Sequence, residues 1–260
     1  MSALVVIVTG ASRGIGRQIA LDLARRGHRL VLAARTMEPS GDRPGSLSET
    51  VRDAEAAGAH AIGVQADLAR AEDASRLVER AVEEFGGVDA VVNNAAATGS
   101  GGRTLEEMSW EDWARQFDTN VHGTFAMMRA ATPHLVARRG GTIVNLSSRA
   151  GDLSDDLEGS RLFSPAYAAS KAAINRLGNV VAAELRDKNV AVVALDPGSV
   201  RTERVAGLKD LSPEHQVRLV EMTVPSRAVV RLVTGGDSLR WTGQLVRAKE
   251  FVDRLDLLPG

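Results

Sequence analysis

The chain of 260 residues contains no cysteine. That excludes disulfides, thiolate catalysis and cysteine zinc sites, and it suits a reducing compartment. Aromatic residues make up only 3%, too few for a platform that stacks single-stranded nucleic acid. The formal net charge is −1, so no global field draws in nucleic acid or an anionic membrane. No apolar run approaches the roughly 20 residues that cross a bilayer. Met1-Ser2-Ala3 runs into Leu4-Val5-Val6-Ile7-Val8 without a basic flank or a cleavage site, and Leu257-Leu258-Pro259-Gly260 is no sorting signal. A cytoplasmic protein is expected, with neither nucleic acid nor membrane as a partner. The five histidines are scattered without an HxxxH spacing, so no metal site is expected.

What is present is an alternation. Short β-branched runs predict strands at 4–9, 29–34, 60–65, 90–93, 142–146, 191–195 and 244–247. Helical periodicity fills the intervals at 15–26, 47–57, 71–85, 110–138, 166–187 and 213–222. Repeated βαβ units imply a parallel sheet, and apolar residues in succession imply that helices cover both faces. The expected fold is α/β, a doubly wound parallel sheet of Rossmann type, in a single domain over residues 1–260. Trp113, Phe117, Val121, Phe125 and Met128 recur every three or four residues and read as a core stripe. Segments 37–46 and 152–164 read as loops. The second carries Asp152, Asp155, Asp156 and Glu158, which suits a solvated surface.

Three groups of residues carry chemistry. The first strand ends in Thr9-Gly10-Ala11-Ser12-Arg13-Gly14-Ile15-Gly16 before a helix. Glycines allow a sharp turn and close approach to a ligand, and a helix N-terminus presents free amides to a pyrophosphate. Tyr167, the only tyrosine, stands four residues before Lys171, so the two share one helix face. A free phenol titrates near 10, too high for a base at neutral pH, and a nearby ammonium favours the phenolate. Ser147 and Ser148 end a strand, and either could donate a hydrogen bond to a substrate oxygen.

These motifs, in this order, resemble the short-chain dehydrogenase/reductase family over nearly the whole chain. Thr9–Gly16 looks like its cofactor turn. Asp67-Leu68 resembles the pair that meets adenine, and Asn93-Asn94-Ala95-Ala96 resembles its NNAG motif. Asn120 resembles a helix asparagine that holds a water linked to the lysine. Val144-Asn145-Leu146-Ser147-Ser148, Tyr167-Ala168-Ala169-Ser170-Lys171 and Pro197-Gly198-Ser199-Val200-Arg201-Thr202 complete the set. The resemblance implies Asn120, Ser148, Tyr167 and Lys171 as catalytic residues. It implies cofactor contacts from Gly10, Ser12, Arg13, Gly14, Ile15, Gly16, Arg35, Asp67, Leu68, Asn94, Ala95, Tyr167, Lys171, Pro197, Gly198, Val200 and Thr202. The implied reaction is hydride transfer between nicotinamide and a carbonyl or alcohol carbon, with Tyr167 moving the hydroxyl proton and the serine polarising the oxygen. The substrate is then a small molecule, with a lid around 199–224.

The chain also departs from the pattern. Ser148 and Tyr167 are nineteen residues apart, longer than is usual, and the excess falls in 152–164 at the rim of the substrate site. Loop 37–46 is long as well; the stretch that closes it, Pro44–Val51, is similar to members acting on terpenoid alcohols and to hydroxysteroid-dehydrogenase-like members. Arg247-Ala248-Lys249-Glu250-Phe251 stands where the family carries VDGG. The second strand ends in Leu32-Ala33-Ala34-Arg35-Thr36 without the acid that bonds the ribose 2′-hydroxyl of NAD. Arg35 suits a 2′-phosphate, with Arg13 approaching from the other side, so NADP is the expected cofactor. Glu38 is the acid that a turn of the loop would bring to the ribose, which keeps NAD as the second choice. Ala168, Ala169, Ala172, Ala173 and Gly178 allow close helix approach, and a homotetramer or homodimer is expected. A catalytically silent NADP-binding regulator is the competing function, and the presence of Ser148, Tyr167 and Lys171 together disfavours it. An epimerase or dehydratase of the longer branch is disfavoured because no sizeable extra C-terminal domain follows.

Overall fold

The apolar runs pair as one parallel sheet. The computed structural model describes residues 2–39, 45–98, 104–160, 163–206 and 219–256. The strands are β1 (Val5–Thr9), β2 (Arg29–Ala34), β3 (His60–Gln65), β4 (Ala90–Asn93), β5 (Gly141–Leu146), β6 (Val190–Asp196) and β7 (Leu245–Arg247). They lie in the order β3-β2-β1-β4-β5-β6-β7, and every neighbouring pair is parallel. Each matches its expected range to within one residue at either end. The helices are α1 (Gly14–Ala24), α2 (Leu47–Ala56), α3 (Ala71–Phe85), α4 (Trp110–Phe117), α5 (Gly123–Ala137), α6 (Leu157–Ser160), α7 (Pro165–Leu185), α8 (Glu203–Ala206), α9 (Thr223–Thr234) and α10 (Ala248–Asp256).

Successive strand residues point to opposite faces, so one strand feeds two cores. Val6, Val8, Leu30, Leu32 and Val144 pack with Ile19, Leu23, Val229, Leu232 and Phe251, from α1, α9 and α10. Val5, Ile7, Val31, Val91 and Ile143 pack with Leu77, Met127, Leu135 and Leu185, from α3, α5 and α7. The sheet is doubly wound, as expected. Chain direction along the sheet reverses between β1 and β4, and such a switch point leaves a crevice at the carboxyl ends of the strands.

The structure corrects the helix expectations in three places. The run 110–138 is not one α-helix: a π-helical turn, Asp118–His122, separates α4 from α5. Its proposed core stripe does not hold as a whole. Met128 is buried, but Trp113, Phe117 and Val121 are only half-buried and Phe125 is 48% exposed. The π turn inserts extra backbone and rotates the register, so Met127, Ala131 and Leu135 meet the sheet instead. Of the expected helix 213–222, residues 213–218 lie outside those described, and 219–222 are not helical; Val220 forms a parallel bridge with Val200. Helix α9 begins just beyond. Its valines, threonines and Pro225 carry weak helix propensity, but Pro225 sits in the first turn, where a missing N–H costs nothing. Burial of Ala228, Val229, Leu232 and Val233 then holds the helix.

The chain end forms α10, which starts directly after β7. Phe251 and Val252 are buried, and Phe251 meets Trp241 edge-on at 5.0 Å. The segment that replaces VDGG is therefore a packed amphipathic helix. Residues 257–260 lie outside the described structure.

Candidate active site

At the switch point the ends of β1 and β4 are tied together. The Asn94 carboxamide Nδ2 donates to Thr9 O at 2.9 Å and Gly10 O at 3.1 Å. Thr9 Oγ1 accepts from Asn94 N and Ala95 N, each at 3.0 Å. Two of the glycines are sterically required here. A Cβ on Gly16 would lie 2.3 Å from Gly10 O and 2.4 Å from Asn94 Nδ2. Gly10 has φ +66°, and its Cβ would fall 2.8 Å from the same amide. Gly14 differs: at φ +56° its Cβ would make only ordinary contacts, each at 3.7 Å, with Glu203 Oε2 and Thr202 Cγ2.

Helix α1 begins at that bare backbone. Its N-cap, Arg13, makes no side-chain cap bond, and no acid occupies the first turn. The first-turn amides therefore have no acid of their own turn to compensate them. A pyrophosphate fits this glycine-lined helix end, beside which the Glu203 carboxylate stands 3.7 Å from where a Gly14 Cβ would lie. Ser12 is buried below it and Ile15 is half-buried beside it. Glu203 and Thr202, at the start of α8, approach Gly14 from the other wall. Val200 is buried, Pro197 is half-buried and Gly198 is exposed, with Gly198 N bonded to Asp196 Oδ1 at 3.0 Å.

The two expected phosphate arginines face different cavities. Arg35 is exposed and lines one with Asp67, Arg70 and Arg76 at the ends of β2 and β3. Arg13 lines another with Arg17, Arg52 and Glu203. Glu38 is exposed, and its carboxylate accepts from Ser48 Oγ at 2.9 Å in the first turn of α2. Loop 37–46 is closed at its base by Leu47 N to Thr36 O at 3.2 Å and Ser48 N to Met37 O at 2.9 Å. Gly45 ends it against the glycine turn, where a Cβ would come 2.5 Å from Ser12 O. Residues 40–44 of this loop lie outside those described. Asp67 is half-buried, with Oδ1 accepting from Ala69 N. Leu68 is buried under Gly123.

Helix α7 carries both Tyr167 and Lys171. Ser164 caps it, accepting from Tyr167 N at 3.3 Å, and Pro165 opens the first turn. This puts Tyr167 in the first turn and Lys171 one turn on. Lys171 is 4% exposed. Its ammonium donates to Leu146 O at 2.7 Å and lies 5.5 Å from the centroid of the Tyr167 ring. Burial lowers its pKa from the ordinary 10.5 to about 8. The two strand-end serines diverge. Ser147 is buried and donates to Asn175 Oδ1 at 2.5 Å, while Ser148 is half-buried and its Oγ accepts from Ala150 N at 3.2 Å. Gly151 then presses on α7, where a Cβ would come 2.6 Å from both Lys171 C and Ala172 N. The serine turn and the lysine are thereby brought together.

Asn120 lies in the π turn and is buried. It exchanges two hydrogen bonds with the Ala97 backbone, at 2.7 and 2.9 Å, and donates to Ser170 Oγ at 3.0 Å. Ser170 Oγ donates in turn to Tyr167 O at 2.8 Å. Sequence reasoning did not single out Ser170, Asn175 or Thr9. Beneath the site, Asn93 Nδ2 donates to Asn145 Oδ1 at 2.9 Å, while Asn93 Oδ1 is buried without a partner among the described residues. No cluster of metal-ligating side chains and no helix long and apolar enough to span a membrane occurs among the described residues.

A glycine turn at the switch point of a doubly wound sheet, facing a buried lysine beside a tyrosine, defines a dinucleotide-dependent class of protein. The comparisons narrow it. Residues 4–211 match the short chain dehydrogenase family. A short-chain type dehydrogenase/reductase of Picea abies is 35% identical, over 82% of this chain and 77% of its own. An uncharacterized oxidoreductase of Methylorubrum extorquens is 34% identical over 94% and 95%. A 3-oxoacyl-[acyl-carrier-protein] reductase of Staphylococcus epidermidis is 32% identical over 78% of each chain. Among solved structures, a putative short-chain alcohol dehydrogenase from Sinorhizobium meliloti superposes with a TM-score of 0.83 at 28% identity, covering 97% of this chain and 98% of that one. The chain belongs to the short-chain dehydrogenase/reductase family and is a nicotinamide-dependent oxidoreductase of small molecules.

The depressed lysine sets a pH dependence of stability. In the folded state Lys171 gives up its proton near pH 8, while in the unfolded chain it keeps it to about 10.5. Unfolding stability rises with pH wherever the unfolded state holds more protons. The penalty for burying the ammonium is therefore full below pH 8 and relieved between about 8 and 10.5. Urea unfolding of wild type and Lys171→Met at pH 7, 8.5 and 9.5 should show wild type gaining on the variant as pH rises. Parallel curves would refute the depressed titration.

Proposed function

We propose that this protein transfers a hydride between NADP(H) and a carbonyl or alcohol carbon, with Tyr167 as the acid/base, within one domain that holds both cofactor and substrate. The observation that carries the reading is the buried Lys171 ammonium, 5.5 Å from the Tyr167 ring centre. An ammonium near a phenol favours the phenolate and makes the proton easier to move at neutral pH.

The residues divide the work by position. The backbone at Gly10, Ser12, Arg13, Gly14, Ile15 and Gly16 would hold the pyrophosphate, with Asp67, Leu68, Asn94 and Ala95 around the adenosine. Pro197, Gly198, Val200 and Thr202 would frame the nicotinamide end. When bound, the nicotinamide supplies the hydride acceptor or donor. Tyr167 Oη takes a proton from the alcohol, or returns one to the carbonyl oxygen. Ser148 is favoured over Ser147 for holding the substrate oxygen, because Ser147 is committed to Asn175. Lys171 has further N–H groups beyond its bond to Leu146 O for the ribose. Asn120 is a positioning residue, clamped by Ala97 and joined through Ser170 to the backbone of Tyr167. Tyr167→Phe should lower turnover about 10²–10⁴-fold, the range for general acid/base groups, and leave the cofactor dissociation constant unchanged. Nicotinamide absorbance with a panel of carbonyls and alcohols reads the first, and fluorescence titration reads the second. A fully active variant would end the assignment.

NADP is favoured over NAD because Arg35 follows β2 with no acid at the strand end, and because Glu38 is engaged by Ser48. Arg35→Ala should weaken NADP binding about ten- to hundredfold, the loss of one charge-assisted hydrogen bond, and leave NAD unaffected. Titration at fixed moderate salt measures both, since screening weakens phosphate pairing. Tighter binding of NAD by wild type overturns the preference.

A homo-oligomer is favoured by apolar side chains on the outer faces of α4, α5 and α7. Trp110, Phe125 and Val180 are 75%, 48% and 50% exposed. Gly178 contributes to this chain's own packing, since a Cβ there would sit 3.3 Å from Asn145 Nδ2. Light scattering at micromolar concentration should report a dimer or tetramer, and a monomer alone would exclude one.

A further inference from the structure

The chain ends of β2 and β3 share one cavity of about 400 Å³, lined by Arg35, Arg70 and Arg76 together with Asp67 and Asp73. The strands fix its shape. Ala34 is in register with Gln65 at the end of the β2–β3 ladder. The link continues beyond it, with Ala66 N donating to Ala34 O and Gln65 Nε2 to Arg35 O, each at 2.9 Å. Arg35 is therefore held about one strand spacing, ~4.8 Å, from the chain at Ala66. Arg70 comes from that second chain. It follows a turn closed by Arg70 N to Asp67 O at 2.9 Å, and it is the N-cap of α3 without a side-chain cap bond.

Part of the charge in this cavity is already paired. Asp73 is buried; its Oδ1 meets Arg76 at 2.8 Å and its Oδ2 accepts from Asp67 N at 2.7 Å. Arg76 also donates to Gln65 O at 2.9 Å. Glu72 and Asp73 occupy the first turn of α3, so its amides are compensated as well. Arg35 and Arg70 are exposed and make no side-chain hydrogen bond or ion pair among the described residues. Two guanidiniums, one from each chain, are thus left for a ligand. Arg13 stands elsewhere. Its cavity sets Arg13, Arg17 and Arg52 against as many carboxylates, those of Glu49, Asp53 and Glu203, and Arg17 pairs with Asp53 at 2.6 Å. That lining has no net charge to draw in a phosphate, whereas the cavity of Arg35 has three arginines against two aspartates.

We propose that Arg70 is the second arginine of the 2′-phosphate site, closing with Arg35 on the 2′-phosphate of NADP(H), and that Arg13 takes no part in the choice between NADP and NAD. Two guanidiniums match a dianionic phosphate in charge, and each presents paired N–H donors to its oxygens. The inference deepens the cofactor reading above and rests on it. β2 lies three strand spacings from β5, whose last carbonyl holds Lys171. The pair therefore decides which cofactor binds and does not touch the reacting atoms.

Fluorescence titration of NADPH and NADH at fixed moderate salt reads the choice without turnover. Arg70→Ala should raise the NADPH dissociation constant about tenfold, the low end for a hydrogen bond to a charged group. The NADH constant should stay at its wild-type value, which also shows that the variant is folded. Calorimetry localises the effect: adenosine 2′,5′-bisphosphate should weaken by the same factor, and 5′-AMP should not weaken. Arg35→Ala combined with Arg70→Ala should cost less than the product of the two single losses, because both groups hold one phosphate. Arg13→Ala should leave the ratio of the NADPH and NADH constants unchanged. An Arg70→Ala variant that binds NADPH as wild type does, or that loses both cofactors equally, overturns the role of Arg70. A changed ratio in Arg13→Ala overturns the exclusion of that residue. Wild type that binds NADH more tightly than NADPH overturns the NADP reading itself, and wild type that binds neither overturns the oxidoreductase reading.

Discussion

One carboxamide, that of Asn94, donates to two carbonyl oxygens on the neighbouring strand end, Thr9 O and Gly10 O. The Thr9 hydroxyl receives two backbone amides in return. At a switch point the sheet has no crossover helix to close it, so these part-buried bonds replace what a continuing strand pair would supply. They also fix the glycine turn from below. Gly10 and Gly16 can be nothing larger because the Asn94 amide occupies the space their side chains would need. With the turn held there, the backbone of Gly14 and the first amides of α1 lie at the carboxyl end of β1, the kind of helix end that suits an anion.

The opposite wall depends on a cost rather than a bond. Lys171 is buried, its ammonium donates to the Leu146 carbonyl, and no carboxylate pairs with it among the described residues. Desolvation of an ammonium is unfavourable, and the depressed pKa is the same free energy seen as a titration. A chain optimised only for stability would place an apolar side chain there. Its neighbours hold it in position. The Ser164 cap starts α7 at the right residue, Gly151 lets the serine turn touch the helix backbone, and the π turn carries buried Asn120 to Ala97 and Ser170. A π turn is a local defect in a helix and commonly sits at functional positions.

The strands and most helices were legible because their signals are local. Apolar runs of β-branched residues between glycine-bearing turns leave few alternatives to a parallel sheet. The glycine turn and the Tyr167–Lys171 spacing were legible for the same reason. What stayed hidden depended on partners distant in the chain. Nothing in Val-Pro-Ser-Arg-Ala-Val-Val marks a helix until α1 supplies the surface that buries it, with Ser226 Oγ bonded to Asp22 at 2.6 Å. The aromatic spacing across Trp113, Phe117 and Phe125 implied a single helix, but the π turn broke the register and turned Phe125 outward. That Ser147 is held by Asn175, 28 residues further on, was likewise invisible in the sequence, where only the resemblance pointed to Ser148.

The two long segments take opposite relations to the crevice. Loop 37–46 leans on it directly, since Gly45 packs against Ser12 O with no room for a side chain, and Ser46 then caps α2 through a reciprocal bond pair with Glu49. A change there would be transmitted to the cofactor cradle. Segment 152–164 instead meets α7 beside its two ends, through Gly151 and the Ser164 cap, and its first residue pairs with Arg247. Function on a shared fold is set by such local differences, while the sheet and its helices stay the same. The C-terminal strand reaches the same segment: it ends in Arg247, which pairs with Asp152, and turns at once into α10.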